Sequence, residues 1–317
     1  MDLFNHLSFD FLGTHLTPID LMYGLLGCIF AILLGALLAK KQARAFSGQH
    51  MYGLDSAADF DKNLPAVTFA DYGDMRFLHL GTPAVQGSMK VSKPFEIHLE
   101  YQQRMMGWLL FTDLDQVSHK HAMQLGLGAA SLTKFCYQHL KMRTIAIELN
   151  PQVITTCRQW FNLPKDNDKL QVVLGDAAEI ASDDQWRGKI DALQVDLYDQ
   201  DAARPVIDSE DFYRDCRSLL THEGCMAVNL FGQASNYDES LKKITTAFGK
   251  DAVWAFKPTP AGNAIVLALR TPRVFDTNTL QAQAQTIQTR WPLPATKWLK
   301  TLAPISKAMT LDRASLS

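Results

Sequence analysis

Neither sign of charge is in excess in this sequence. Its 31 lysines and arginines stand against 33 aspartates and glutamates, a formal net charge of −2 over 317 residues. Such a chain has no field to gather phosphates, so nucleic-acid binding is not expected. Cysteine is also scarce: Cys28, Cys136, Cys157, Cys216 and Cys225 are five, widely spaced, with no CxxC pair. That excludes a disulfide-stapled scaffold and fits a reducing compartment. No repeat or low-complexity tract is visible, which excludes solenoids and arrays. Ligand-spaced clusters are missing too. His119 and His121 flank Lys120 without companions, so they are read as solvated loop residues and no metal is expected.

Long apolar runs are absent with one exception, LMYGLLGCIFAILLGALLA from Leu21 to Ala39. A helix of this length crosses most of a hydrocarbon layer of about 30 Å. Asp2, Asp10 and Asp20 precede it, and Lys40, Lys41 and Arg44 follow. The positive-inside rule then leaves the bulk of the chain cytoplasmic, anchored to the inner face of the membrane by one N-terminal helix. The rival readings are a buried helix, or a true start at Met51. A secretory signal is disfavoured, because no basic region precedes the run.

What remains is a composition, 47% hydrophobic, that supports a sizeable core. The expected organisation is an N-terminal segment over 1–45 holding the candidate span 21–39, a linker over 46–64, and a small β subdomain with a connecting helix over 65–118. A Rossmann-like catalytic domain follows over 119–270, then a helical tail over 271–317. In the subdomain, short β-rich runs are split by Tyr72-Gly73-Asp74 and Gly81-Thr82-Pro83, a meander of hairpins.

From Lys120 onward, strand-like and amphipathic helical segments alternate: MQLGLG, SLTKFCYQHL, RTIAIEL, PQVITTCRQWF, LQVVLGD, DALQVDL, SEDFYRDCRSLL and CMAVNLF. This rhythm predicts an α/β fold with a doubly wound, mostly parallel sheet, of the class I methyltransferase type. Pro151 and Ser209 mark helix starts, and VWAF and AIVLALR are expected as antiparallel edge strands. The apolar and basic tail segment WPLPATKWLKTLAPISKAM is read as a helix docked on its own domain, in preference to one lying on a membrane.

The chemistry is expected at the strand ends. The first strand runs into LGLGAAS, where Gly126, Gly128 and the small residues after them open a helix. So bare a turn lets a ligand approach the backbone and the helix N-terminus. Glu148 ends the second strand 20 residues after Gly128, where a carboxylate accepts hydrogen bonds from ribose hydroxyls. Together the turn and Glu148 indicate an adenosine-type ligand. Asp176 ends the third strand, where many adenosyl-sulfonium enzymes use an acid to contact the adenine amino group. Asp196 ends the fourth and is followed by Asp199. In the strand order 3-2-1-4-5, strands 1 and 4 flank the crevice, so Asp196 should project into it. On the residues alone, Asp196 and Asp199 also fit loop caps.

In this order, VQGSM, EYQQRMM, LGLGAAS, IELNPQVI, LGDAAE, VDLYD, FYRDCRSLL and PAGNAIVLAL resemble the polyamine aminopropyltransferases, the spermidine synthase family, and within it a bacterial branch with an LGLGGGSL-like first loop. The likeness runs from about Leu64 to Arg270. It implies transfer of an aminopropyl group from decarboxylated S-adenosylmethionine, a co-substrate, to a diamine such as putrescine, giving a spermidine-type product and methylthioadenosine. No prosthetic group is implied, and a homodimer is. By the same resemblance Asp196 is the base, Asp199 binds the amine, Tyr101 and Gln102 line its pocket, and Gln86 lies near both ligands.

Three departures qualify the likeness. Gly128 stands where the common GGGDGG loop has the aspartate that holds the aminopropyl ammonium. Gln103 replaces a glutamate, and Gln200 a proline. With that charge missing, the alternative is a methyltransferase using intact S-adenosylmethionine. A third reading is a non-catalytic binder of an adenosyl ligand, and an NAD dehydrogenase is a distant fourth.

Overall fold

The computed structural model describes residues 64–199, 206–231 and 237–306, together with the backbone of two short strands near the N-terminus. Two compact units divide the chain at residues 49 and 50. In the first, β1 (Phe9–Phe11) and β2 (Thr14–Leu16) pair antiparallel. The apolar run 21–39 lies outside the described residues. Among the described residues, no helix is long and apolar enough to cross a membrane.

The second unit begins with the expected meander. Strands β3 (Val67–Tyr72), β4 (Met75–Leu80) and β5 (Val85–Lys90) form an antiparallel sheet in sequence order. Gly73, at φ +58°, makes the two-residue turn between the first two, a conformation that glycine adopts without a Cβ penalty. The chain then enters α1 (Glu100–Met105) and a run of 3₁₀ turns over Met106–Phe111, every residue of which is buried.

The α/β part alternates as its sequence rhythm predicts. It runs β6 (His121–Leu125), α2 (Ser131–Gln138), β7 (Arg143–Glu148), α3 (Pro151–Trp160), β8 (Leu170–Leu174), α4 (Ala177–Ser182), β9 (Ile190–Val195), α5 (Glu210–Leu219), β10 (Leu220–Phe231) and α6 (Tyr237–Phe248). The five strands lie parallel in the order β8-β7-β6-β9-β10, which is the expected 3-2-1-4-5. Local chemistry sets the helix starts. Pro151 occupies the first turn of α3 behind an Asn150 cap, and Ser209 caps α5 by accepting from the Phe212 N–H, each satisfying a donor the helix leaves orphaned.

Three further strands extend the sheet: β11 (Val253–Phe256), β12 (Asn263–Leu269) and β13 (Leu302–Pro304), in the order β10-β12-β11-β13. The edge-strand expectation is thereby corrected. AIVLALR sits inside the sheet between β10 and β11, which is why it is a continuous buried run without alternation. The true edge is β13, contributed by the tail. That tail also folds differently from its reading. Its main helix is α7 (Thr277–Arg290), which buries Leu280, Ala284 and Ile287, whereas the Trp-rich segment supplies only the single turn α8 (Ala295–Trp298) before β13. His121 likewise opens a strand and is half-buried, not a solvated loop residue.

Candidate active site

A cleft of ≈ 760 Å³ opens at the carboxyl ends of the parallel strands, beneath the meander. Its wall brings together Gln86, Tyr101, Gly126, Gly128, Glu148, Asp176, Asp196 and Asp199. They come from β5, the helix start at Tyr101, the end of β7 and the loops after β6, β8 and β9, and the topology delivers them to one crevice because β6 and β9 are the neighbours at which the connections reverse direction.

The glycine loop closes one side. Gly126 has φ +85° and Gly128 φ +51°. A Cβ at Gly126 would overlap the Asp196 carbonyl oxygen, so the two strand ends approach as closely as they do only because that residue is glycine. Glu148 braces the loop: one of its oxygens accepts from the Leu127 N–H and the other from the Asn150 N–H, both at 2.9 Å. Burial pushes its carboxyl above the ordinary range, and these backbone donors pull it back. Buried Gln124, which carries no sequence signal of function, supports the loop from below through the Gly126 carbonyl at 2.7 Å. Asp176 caps α4, accepting from the Ala178 N–H at 2.7 Å, with its carboxylate at the rim.

Asp196 stands at the centre. Its Oδ1 accepts from Asn229 Nδ2 at 2.9 Å and its Oδ2 from the Tyr101 hydroxyl at 3.2 Å. Burial raises its carboxyl above the usual range, opposed by the Asn229 and then the Tyr101 hydrogen bond. Tyr101 is held well above its ordinary value, by burial first and then by the Asp196 charge, so its hydroxyl stays a donor at neutral pH. Gln86 donates to the main-chain carbonyl of Asp199 at 2.9 Å, tying β5 to the loop after β9.

Gln102, expected beside Tyr101 in the pocket, is not part of the cleft wall. Its side chain is buried. One helical step turns its side chain away from the neighbouring position's face. Gln103 donates to the Ile97 carbonyl at 2.9 Å, fastening the approach to α1. Sequence reasoning missed Asn229, Asn263 and Tyr198, all of which line the cleft. Asn229 was detectable as the single polar residue in the apolar strand CMAVNLF, and Asn263 as the polar start of NAIVLAL.

No family model matches the chain. It is 31% identical to the polyamine aminopropyltransferase of Chromobacterium violaceum over 232 residues, 73% of this chain and 86% of that protein. Its fold resembles that of a probable spermidine synthase from Corynebacterium glutamicum, with a TM-score of 0.56 at 16% identity, over 71% of this chain and 82% of the other. Human methyltransferase-like protein 13, solved in complex with SAH, shares the fold almost equally, with a TM-score of 0.55 at 21% identity over 61% and 92% of the two chains. The folds alone therefore do not separate the two chemistries, whereas sequence identity across most of a relative's length does. The chain is an enzyme and belongs to the polyamine aminopropyltransferase family.

Proposed function

We propose that the cleft transfers an aminopropyl group from decarboxylated S-adenosylmethionine to a diamine. One observation carries this reading: among the described residues the cleft wall holds four carboxylates, Glu148, Asp176, Asp196 and Asp199, and no lysine, arginine or histidine. Both proposed substrates are cations without a carboxylate. Intact S-adenosylmethionine brings a carboxylate that would meet no cationic side chain among the described residues of the wall, and an unpaired charge in a partly dehydrated site is costly.

The chemistry follows from the amine. A primary ammonium, with a reference pKa of about 10, must lose a proton before it is a nucleophile. The Asp196 charge first draws the ammonium in, and its carboxylate then accepts that proton. The freed lone pair attacks the methylene carbon next to the sulfonium, the C–N bond forms, and the C–S bond breaks with its electrons passing to sulfur. The neutral thioether, methylthioadenosine, leaves. Glu148 takes the ribose hydroxyls, using lone pairs left over from its backbone contacts, and Asp176 takes the adenine amino group. Gly126, Gly128 and Gln86 bound the sulfonium side, and Tyr101 and Asp199 bound the amine side.

Incubating the protein with decarboxylated S-adenosylmethionine and a panel of diamines should release methylthioadenosine. No release with any amine overturns the proposal. The methyltransferase reading is favoured by one feature, Gly128, and is adopted if intact S-adenosylmethionine binds more tightly than the decarboxylated form. The leading reading also carries a homodimer and attachment through residues 21–39, which sedimentation and membrane fractionation of the full chain decide.

A further inference from the structure

Behind Asp196 lies a second pair of polar side chains that the chemistry above does not use. Asn263 Nδ2 donates to Asn229 Oδ1 at 3.1 Å, and Asn229 Nδ2 donates to Asp196 Oδ1 at 2.9 Å. The sheet register makes this possible. Asn229 of β10 pairs with Ile265 of β12, so Asn263, two residues along, presents its side chain on the same face. Asn229 is 4% exposed, and asparagine is depleted in strand interiors, so its place here calls for a partner. Asn263 is fixed in turn, its carbonyl accepting from the Thr259 N–H at 2.7 Å and its N–H donating to Thr259 Oγ1 at 3.2 Å.

The order of donors has direction. An ionised carboxylate only accepts, so Asn229 must turn its amide nitrogen toward Asp196 and its oxygen away. That oxygen then requires a donor, which Asn263 supplies. We propose that Asn263 and Asn229 form a directional amide relay that positions Asp196 and keeps it in its proton-accepting form. The proposal rests on Asp196 being the base of the reaction proposed above. Among the described residues, the other titratable groups facing Asp196 are Tyr101 of α1 and, in its own loop, Tyr198 and Asp199. From β6, the Leu125 carbonyl accepts from the Asp196 N–H at 3.0 Å. The relay is thus the means by which β10 and β12 act on this carboxylate.

Asn263→Asp tests it, because aspartate at 263 accepts where asparagine donates. The Asn229 amide should then flip, presenting its oxygen to Asp196 and favouring the protonated carboxyl. We expect the Asp196 midpoint to rise by about one pH unit or more, with the acid limb of kcat/KM following it. The midpoint is read by carbon-13 NMR of aspartate carboxyls, assigned by the resonance that Asp196→Asn removes, so the relay is tested even if aminopropyl transfer is never observed. A new charge at 263 would also act through space, and a double-mutant cycle separates the two effects. In an Asn229→Ala background the rise caused by Asn263→Asp should fall to less than half. An undiminished rise there, or no rise in the single variant while its melting temperature stays that of the parent, overturns the relay. A single variant that does not fold is replaced by Asn263→Ala, which leaves Asn229 without its donor. That variant should raise the Asp196 midpoint by a smaller amount, and no rise overturns the proposal equally.

Discussion

At the residue scale the cleft separates charge from conformation. Asp196→Asn preserves shape and the Asn229 contact but removes the proton acceptor. It should lower kcat by about 10²–10⁴-fold and leave cofactor affinity within a few-fold, as steady-state kinetics and calorimetry would show. Because burial raises the Asp196 carboxyl, the acid limb of kcat/KM should lie above the range of an ordinary carboxylate, with activity lost as pH falls through it. Gly128 tests the choice of cofactor. Its φ of +51° is one that aspartate tolerates at some cost, and a Cβ there would lie 3.0 Å from the Gln86 carbonyl oxygen. Gly128→Asp should therefore weaken both cofactors through strain, yet shift their affinity ratio by about tenfold or more toward the decarboxylated form, since a charge-assisted contact is worth about 1.5–3 kcal/mol. Paired titrations read that ratio, and an unchanged value in a folded variant means that residue 128 does not face the aminopropyl end. Individual acids were legible because each follows an apolar strand. Asn229 and Asn263 stood out as polar residues in apolar strands, but their use was not legible, because an amide inside a strand shows its role only when its neighbour across the sheet is known.

At the element scale the glycine loop is a part clamped from several sides. Glu148 holds its Leu127 N–H, Gln124 its Gly126 carbonyl, and Ser131 of α2 donates to the Ser88 carbonyl of β5 at 2.9 Å. Where β5 meets the loop, Gly87 is so close that a Cβ would lie 2.7 Å from both the nitrogen and the Cβ of Ala129. Gly87→Ala must push the strand off the loop. It should cost about 1–3 kcal/mol, the usual range for overpacking, and raise the KM for the cofactor, with thermal melts and kinetics as the readouts. The βα rhythm was readable because its strands are apolar and its helices amphipathic. The 3₁₀ run Met106–Phe111 was not, since a segment buried on every side has no period. Nor was β13, three residues whose strand character exists only through pairing with β11.

At the scale of the whole molecule, burial that serves packing also sets the response to alkali. The buried thiols Cys136, Cys157 and Cys225 are pushed up to about 12, and Cys216 is raised as well, each chiefly by desolvation. Lys134 is buried with its Nζ donating to the Phe161 carbonyl at 2.6 Å, and burial lowers it to about 8. The two kinds of group act in opposite directions. A thiol with a raised folded value keeps its proton between about pH 9 and 12 while the unfolded chain gives its own up, so stability present below pH 9 is lost as pH rises. Between about pH 8 and 10.5 the unfolded chain keeps the lysine proton that the folded chain has released, so Lys134 adds stability as pH rises. Among the described residues, four thiols against one lysine, with Tyr101, Tyr198, Tyr213 and Tyr237 also raised by burial and acting in the thiols' direction, make stability fall steeply near pH 10, by roughly 4 kcal/mol or more per pH unit at about 1.36 kcal/mol per proton. Against a typical total of about 5–15 kcal/mol, that slope consumes the fold within a few pH units. Urea unfolding at pH 8, 9 and 10 should show a small change over the first interval and a steep fall over the second. Cys225→Ala, though less stable at pH 8 for its lost packing, should reduce the steep slope by about one proton's worth. A wild-type stability that holds level from pH 9 to 10.5 would mean that these thiols ionise as readily in the fold as outside it, and the burial account of their chemistry would fail.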